Sequence, residues 1–250
     1  MGTYETIAIT REGGIAELRI HNQGGPAKWG LWGGLHKELG EAFAELAADP
    51  DLRALIITGT GDTFCADFDM TTPPPAMSPQ TWDTIFREGR ALLENLLAIE
   101  VPVIAAVHGA AFIHAEIPLL SDIVLASPTA VFADKPHAAS GVVPGDGVQI
   151  VWPALLGPNR GRYFLLTGQE IGAEEALRLG LVGEVVPEDR LLERAREHAR
   201  TIAARPAMAM RYARIALTAP FREELRKNLG YGLILEGMGI LGAMAEAQQG

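Results

Sequence analysis

The chain has 250 residues, 48% of them apolar and 21% charged, with 31 acidic and 21 basic side chains for a net charge of −10. That suits one large domain, or one domain with a small appendage, and excludes a disordered chain. The acidic balance, without any block of like charge, argues against nucleic acid or an anionic membrane as partner, and no apolar run reaches the roughly 18 residues a spanning helix needs.

The opening "MGTYETIAIT" has no basic stretch followed by an apolar one. "YETIAIT" and "GIAELRI" predict two strands around the turn "REGG". "HNQGGPAKWG" reads as loop. From Leu31, apolar residues recur at Leu35, Leu39, Phe43 and Leu46, which predicts a helix ending near "DP" at 49–50. "LRALIITG" predicts a buried strand. Cys65 is the only cysteine, so no intrachain disulfide forms and a reducing, cytoplasmic location is expected. Residues 59–80 carry turn chemistry, and the prolines of "TTPPPAMSP" exclude a helix or central strand there.

"TWDTIFREGRALLENLLAI" predicts a helix with Thr81 as its cap. "VPVIAAV" predicts another buried strand, and "SDIVLAS" and "TAVFAD" shorter ones. Helices are expected through "VQIVWPALLG", "NRGRYFLLTG" and "AEEALRLG", then a last strand in "LVGEVV". Residues 188–204 and 207–218 predict helices broken at Pro206, and a final helix spans about 222–246. Strand–helix alternation followed by helices predicts an α/β core with a C-terminal helical extension.

Residues 134–147 read "DKPHAASGVVPGDG". His137 and Asp146 sit there among small residues, either as a proton-handling pair or as a polar loop. Imidazole is the side chain best matched to taking a proton from water near neutral pH, and a carboxylate on its other nitrogen fixes the tautomer. Asp146 alternatively caps a helix starting near Val148. His114, in "AAFIHAEI", is either a donor to a substrate carbonyl or a core histidine bonded to Glu116. His21, His36, His108 and His198 have weaker claims. Asp122 is expected to be structural, and Arg160 and Arg162 to serve ion pairs or an interface. No serine or cysteine stands in a nucleophile motif, so the nucleophile is expected to be water. No two histidines stand four apart with a carboxylate, so neither a metal nor a cofactor is expected.

"ALIITGTGDTFCADFDM", "PVIAAVHGAAFIHAEIPLLSDIVLAS" and "GVVPGDGVQIVWPALLGPNRGRYFLLTGQEIGAEEALRLGLVGEVV" together resemble the crotonase (enoyl-CoA hydratase/isomerase) superfamily, over about residues 4–240. The resemblance implies a ββα spiral core over 1–187 and a C-terminal helical trimerisation region over 188–250, assembled as a homotrimer or a dimer of trimers. It also implies that the Phe68 N–H, and Ile113 at the position of the second N–H donor, mark an oxyanion hole. Here Asp67 stands where the family has Gly, and Phe112, Ile113 and His114 replace a glycine triplet. Such donors work only if the carbonyl comes within about 3 Å, an approach that glycines allow. Where hydratases usually carry a catalytic glutamate, this chain has "PHAASG".

These departures make the chain similar to the β-diketone hydrolases of the superfamily, the group of 6-oxocamphor hydrolase. That likeness implies a retro-Claisen C–C hydrolysis of a small, cyclic or bicyclic β-diketone, with His137 and Asp146 activating water. It implies a carbonyl-binding tryptophan, Trp32 in preference to Trp29, and a glutamate near the catalytic histidine, Glu236. Phe68, Phe112 and Ile113 would shape an apolar pocket. Basic residues suited to a CoA arm are few, with only Lys28 in the first loop. A CoA-dependent hydratase, isomerase or thioesterase and a non-catalytic scaffold stay open as alternatives.

Overall fold

A computed structural model describes residues 2–71, 73 and 75–247. Thr72 and Pro74, within the proline-rich stretch, lie outside the described residues, as do Met1 and residues 248–250. The chain opens with β1 (Ile7–Glu12) and β2 (Ile15–Ile20), paired antiparallel. Gly13 and Gly14 between them both take positive φ, 57° and 79°. A two-residue turn with φ positive at both positions matches the twist of a hairpin. The ladder therefore runs on to Glu12↔Ile15, two residues past the expected end of the first strand.

A short β3 (Lys28–Trp29) precedes α1 (Gly34–Ala47). Then come β4 (Ala54–Thr58), β5 (Asp67–Phe68), α2 (Pro79–Ala98), β6 (Val103–Val107), β7 (Ala110–Ala111), α3 (Glu116–Leu119), β8 (Ile123–Ala126) and β9 (Val131–Phe132). A 3-10 turn at Ala138–Ser140 leads to α4 (Val148–Leu156), α5 (Pro158–Thr167), β10 (Ile171–Gly172), α6 (Ala173–Leu179), β11 (Glu184–Val185), α7 (Glu188–Ala203) and α8 (Ala207–Ala247).

The main sheet has six strands in the order β1-β2-β4-β6-β8-β11, parallel from β2 onward. The long strands β4, β6 and β8 are each followed by a short one, β5, β7 and β9, set in two smaller sheets. This is the ββα arrangement with a helical C-terminal part. β4 and β6 are buried along their whole length because both faces are covered. Leu55, Ile57, Val103 and Ala105 join the large core with α1 and α2, while the alternate residues Ala54, Ile56, Ile104 and Ala106 meet Leu191, Ala195, Ala199 and Ile202 of α7.

Two local expectations need correction. Ser78, not Thr81, caps α2: its hydroxyl accepts the Thr81 N–H at 3.1 Å. Residues 207–218 and 222–246 are not separate helices but parts of α8, which continues through Pro220. Ala216 and Pro220 are exposed, so the carbonyl that loses its helical partner faces water and the helix persists.

Candidate active site

Four segments converge on the site, α8 among them. β9 aligns with β7, since Ala133 N–H donates to the Ala111 carbonyl at 3.1 Å and Lys135 N–H to the Phe112 carbonyl at 3.1 Å. The chain then turns at Pro136, and the His137 carbonyl takes the Ser140 N–H at 2.7 Å. This delivers Asp134 and His137 to the interior, each 3% exposed. Past β7, His114 occupies the left-handed region at φ 51°, an uncommon conformation for a side-chain-bearing residue and one that concentrates at functional sites. Asp146 sits just before Gly147, which caps α4. Asp146 is therefore next to the cap rather than the cap itself. Its charge is nonetheless favoured by the Val148 N–H of the first turn.

The fourth segment is α8 itself. A side chain on Gly145 would collide with the Gly232 carbonyl, and one on Gly237 with the Trp82 indole. This close approach places Glu236 over the histidine.

The geometry centres on Asp146. Its Oδ2 lies 3.3 Å from His137 Nε2 and 3.4 Å from His114 Nε2. Glu236 Oε1 lies 3.9 Å from His137 Nε2. The far nitrogens have their own acids: His137 Nδ1 is 2.6 Å from Asp134 Oδ1, and His114 Nδ1 is 2.6 Å from Glu116 Oε1. The expectation that Asp146 sits on the orienting nitrogen of His137 is thus corrected. Asp134 holds Nδ1, and Asp146 faces Nε2. Asp134 escaped the sequence reading although it stands three residues before His137 across a Pro-containing turn, a spacing that would have singled it out.

Trp29 stacks on His114 with ring centroids 4.0 Å apart. Its indole N–H is buried without a partner. Trp32 is half-buried in the bend leading into α1. Of the two tryptophans, the one the structure sets against the histidines is Trp29. His36, given little weight in sequence, is buried edge-on to Trp29, with centroids 5.7 Å apart, and its Nδ1 lies 3.3 Å from Glu88 Oε2. Only a fold that packs α1 on α2 brings it there. Phe68 pairs with Trp29 in register and is half-buried. Ile113 is buried, whereas half-buried Phe112 has the Lys135 ammonium 5.3 Å from its ring centroid.

Burial and charge oppose each other throughout. Burial alone would lower His137, but the Asp146 and Asp134 carboxylates outweigh it and push the imidazole up to about 12. Burial would raise Asp146, yet the imidazoliums of His137 and His114 hold it ionised, below the usual carboxylate range. His114 is raised because Glu116 and Asp146 overcome its burial. Burial keeps Glu116 raised in spite of His114. Glu236 is pushed up to about 8, by burial first and then by the charge of Asp146. His36 is lowered by burial, which exceeds the pull of Glu88.

The backbone amides just before His114 are engaged. The Phe112 and Ile113 N–H groups both donate to the Cys65 carbonyl, at 2.9 and 3.2 Å. The donor at the position of the second oxyanion N–H therefore serves the fold. Asp122 is structural: its Oδ2 accepts the Val103 N–H and Arg214 Nε, each at 2.7 Å. Arg160 pairs with Glu175 at 2.7 Å. Among the described residues, two trios of metal-ligand type cluster within 4.8 Å, His114–Glu116–Asp146 and His137–Asp146–Glu236, and no helix is long and apolar enough to cross a membrane.

A ββα core with its polar cluster under a C-terminal helix defines a crotonase-type protein. Residues 10–233 match the enoyl-CoA hydratase/isomerase family, and the chain belongs to it. Among solved structures it is similar to a β-diketone hydrolase from the cyanobacterium Anabaena sp. PCC 7120 bound to (S)-3-oxocyclohexyl acetic acid, 44% identical over 94% of each chain with a TM-score of 0.91. An enoyl-CoA hydratase/isomerase from Mycobacterium paratuberculosis is 26% identical, with a TM-score of 0.84 over 94% of this chain and 93% of that one. A probable enoyl-CoA hydratase from Mycobacterium bovis is 34% identical over 92% of this chain and 87% of its own length.

Proposed function

We propose that the chain is a β-diketone hydrolase that cleaves a carbon–carbon bond of a compact, cyclic or bicyclic diketone by a retro-Claisen reaction. The observation that carries this reading is the shared carboxylate of Asp146 between the Nε2 atoms of His137 and His114. In this reading His137 is the base and His114 the oxyanion donor, two buried imidazoles sharing one carboxylate. The similarity to a diketone hydrolase supports it, and the committed Ile113 N–H weighs against thioester binding.

In the reaction, His137 Nε2 takes a proton from water and the hydroxide oxygen bonds to one ketone carbon. The tetrahedral oxyanion collapses, the carbon–carbon bond breaks, and its electron pair moves into the second carbonyl as an enolate. His114 Nε2–H and the Trp29 indole N–H hold that oxygen. Each donor contributes roughly 3–4 kcal/mol in a water-excluded site. The proton returns to the enolate carbon, and because the broken bond lies in a ring, the product is a single keto acid. Asp134 is a positioning residue for His137. Glu236 accepts or supplies the shuttled proton. Phe68, Ile113 and Phe112 give the pocket its apolar character, and no cofactor or metal enters, because the substrate provides its own electron sink.

We assign residues 188–250 to assembly as a homotrimer or a dimer of trimers. The exposed Tyr231, Ile234, Met238 and Leu241 on α8 support this. The single cysteine favours a reducing compartment such as the cytoplasm. The test is incubation with a panel of cyclic and bicyclic 1,3-diketones, following loss of diketone absorbance and release of acid. Turnover of a compact member is expected. Failure on every diketone, together with tight calorimetric binding of a CoA thioester, would transfer the chain to the hydratases.

A further inference from the structure

The two trios at Asp146 are not equivalent. In the first, Glu116 meets Nδ1 of His114 while Asp146 meets Nε2 of the same ring. The two carboxylates lie at opposite ends of one imidazole, so a single cation cannot be shared by Nε2 and both acids. In the second, Asp146 and Glu236 both approach Nε2 of His137, at 3.3 and 3.9 Å, from two different segments of chain. A tetrahedral ion about 2.0–2.1 Å from its nitrogen and oxygen ligands holds them roughly 3.3 Å apart. Both His137 contacts lie near that spacing, and the three ligand atoms all lie within 4.8 Å of one another.

Two further features point to a ligand. Asp146 Oδ1 and Glu236 Oε2 are buried without hydrogen-bond partners, and Asp146 as a whole is 8% exposed. Asp134 on Nδ1 of His137 also supplies the outer carboxylate that a metal-bound histidine characteristically has, fixing the ring with its Nε2 lone pair toward the ion. One imidazole, two carboxylates and an outer acid suit a borderline cation such as Zn2+ rather than Ca2+ or Mg2+, which take oxygen ligands.

We infer that His137 Nε2, Asp146 and Glu236 form a binding site for one Zn2+-class divalent cation, and that this cation inhibits the enzyme reversibly. Binding forms three metal–ligand bonds and releases to solvent the protons carried by His137 and Glu236. With the Nε2 lone pair on the metal, His137 has none left to accept a proton from water. The inhibition rests on the functional reading above. The coordination does not.

The experiment titrates the full-length, chelator-treated protein with zinc chloride by calorimetry and, in parallel, measures diketone hydrolysis. One ion per chain is expected, with activity falling over the same concentrations and returning on addition of chelator. His137→Gln and Glu236→Gln should remove stoichiometric uptake, and Asp134→Asn should weaken it by about 10–100-fold. His198→Ala, a surface histidine 2.8 Å from Glu184, should leave uptake unchanged. Circular dichroism and thermal melting confirm that each variant is folded. A second pair, Asp146→Asn and Glu116→Gln, guards against a folding failure: the first should weaken uptake and the second should not. Absence of stoichiometric uptake, or uptake indifferent to His137 and Glu236, overturns the site. Uptake with rising activity overturns the inhibition. If no diketone is turned over at all, the functional reading fails, and calorimetry still decides the site.

Discussion

At the scale of single residues, the site turns on Asp146, whose Oδ2 lies 3.3 Å from His137 and 3.4 Å from His114. In the sequence, His137, Asp146 and His114 stand out as imidazoles and an acid among glycine, proline and apolar residues, whereas Glu236 came only through the resemblance to the β-diketone hydrolases. Asp134, three residues before His137, was open to reading from that spacing, whereas His36 was not, since it reaches Trp29 only when α1 docks. The tryptophans separate on the same ground. Trp29→Phe keeps a ring against His114 but removes the indole N–H, so kcat should fall about 10²–10³-fold with little change in KM. Trp32→Phe should leave kcat where it is. Steady-state kinetics on one diketone decides, and the reverse pattern would return the donor role to Trp32. The proton inventory makes a second prediction. Near pH 7 the raised His137 and Glu236 both hold protons, one more than a base needs. Losing one, at about pH 8 where Glu236 titrates, leaves a Glu236 carboxylate facing the His137 imidazolium, able to draw off its Nε2 proton and free the base. Activity should therefore rise with pH through about 8, and Glu236→Gln should abolish that limb. A wild-type profile that declines over this range would contradict the assignment.

At the scale of elements, strand positions were legible because β4 and β6 are apolar runs, and α1 and α2 because their apolar residues recur at helical spacing. The continuity of α8 was not. Helices were expected over 207–218 and about 222–246, and only the exposure of Pro220 shows why one helix spans both. Nor did glycines in a helix announce a contact. Gly232 and Gly237 let α8 settle against Gly145 and Trp82, whose indole donates to the Leu233 carbonyl at 3.0 Å. Gly237→Ala should push the helix off the indole, costing about 1–3 kcal/mol in denaturant unfolding and lowering kcat by shifting Glu236. Combined with Glu236→Gln, its effect on kcat should be less than additive, because both act through one carboxyl. Full additivity would mean that the notch serves stability alone.

For the whole molecule, composition and strand–helix alternation were enough to suggest the class, and motif order to suggest the family. The two-sided sheet follows from alternate residues of one strand feeding separate cores, which a uniform apolar run conceals. The exposed apolar side chains of α8 carry the prediction at this scale. Light scattering should give the mass of a trimer or hexamer, and paired charge substitutions at Ile234 and Met238 should lower it. A wild-type monomer with full activity would remove assembly from the account.

The Cys65 carbonyl, which receives both the Phe112 and Ile113 amides, has a bearing on descent. A lineage wanting to recover acyl-thioester chemistry could not do so by shaving side chains back to glycine. The Ile113 N–H points at the Cys65 carbonyl, and turning its peptide plane would break that bond just past β7. Divergence at this turn works like a ratchet: directed evolution should find new diketones readily and coenzyme-linked acyl groups only after a change in loop length.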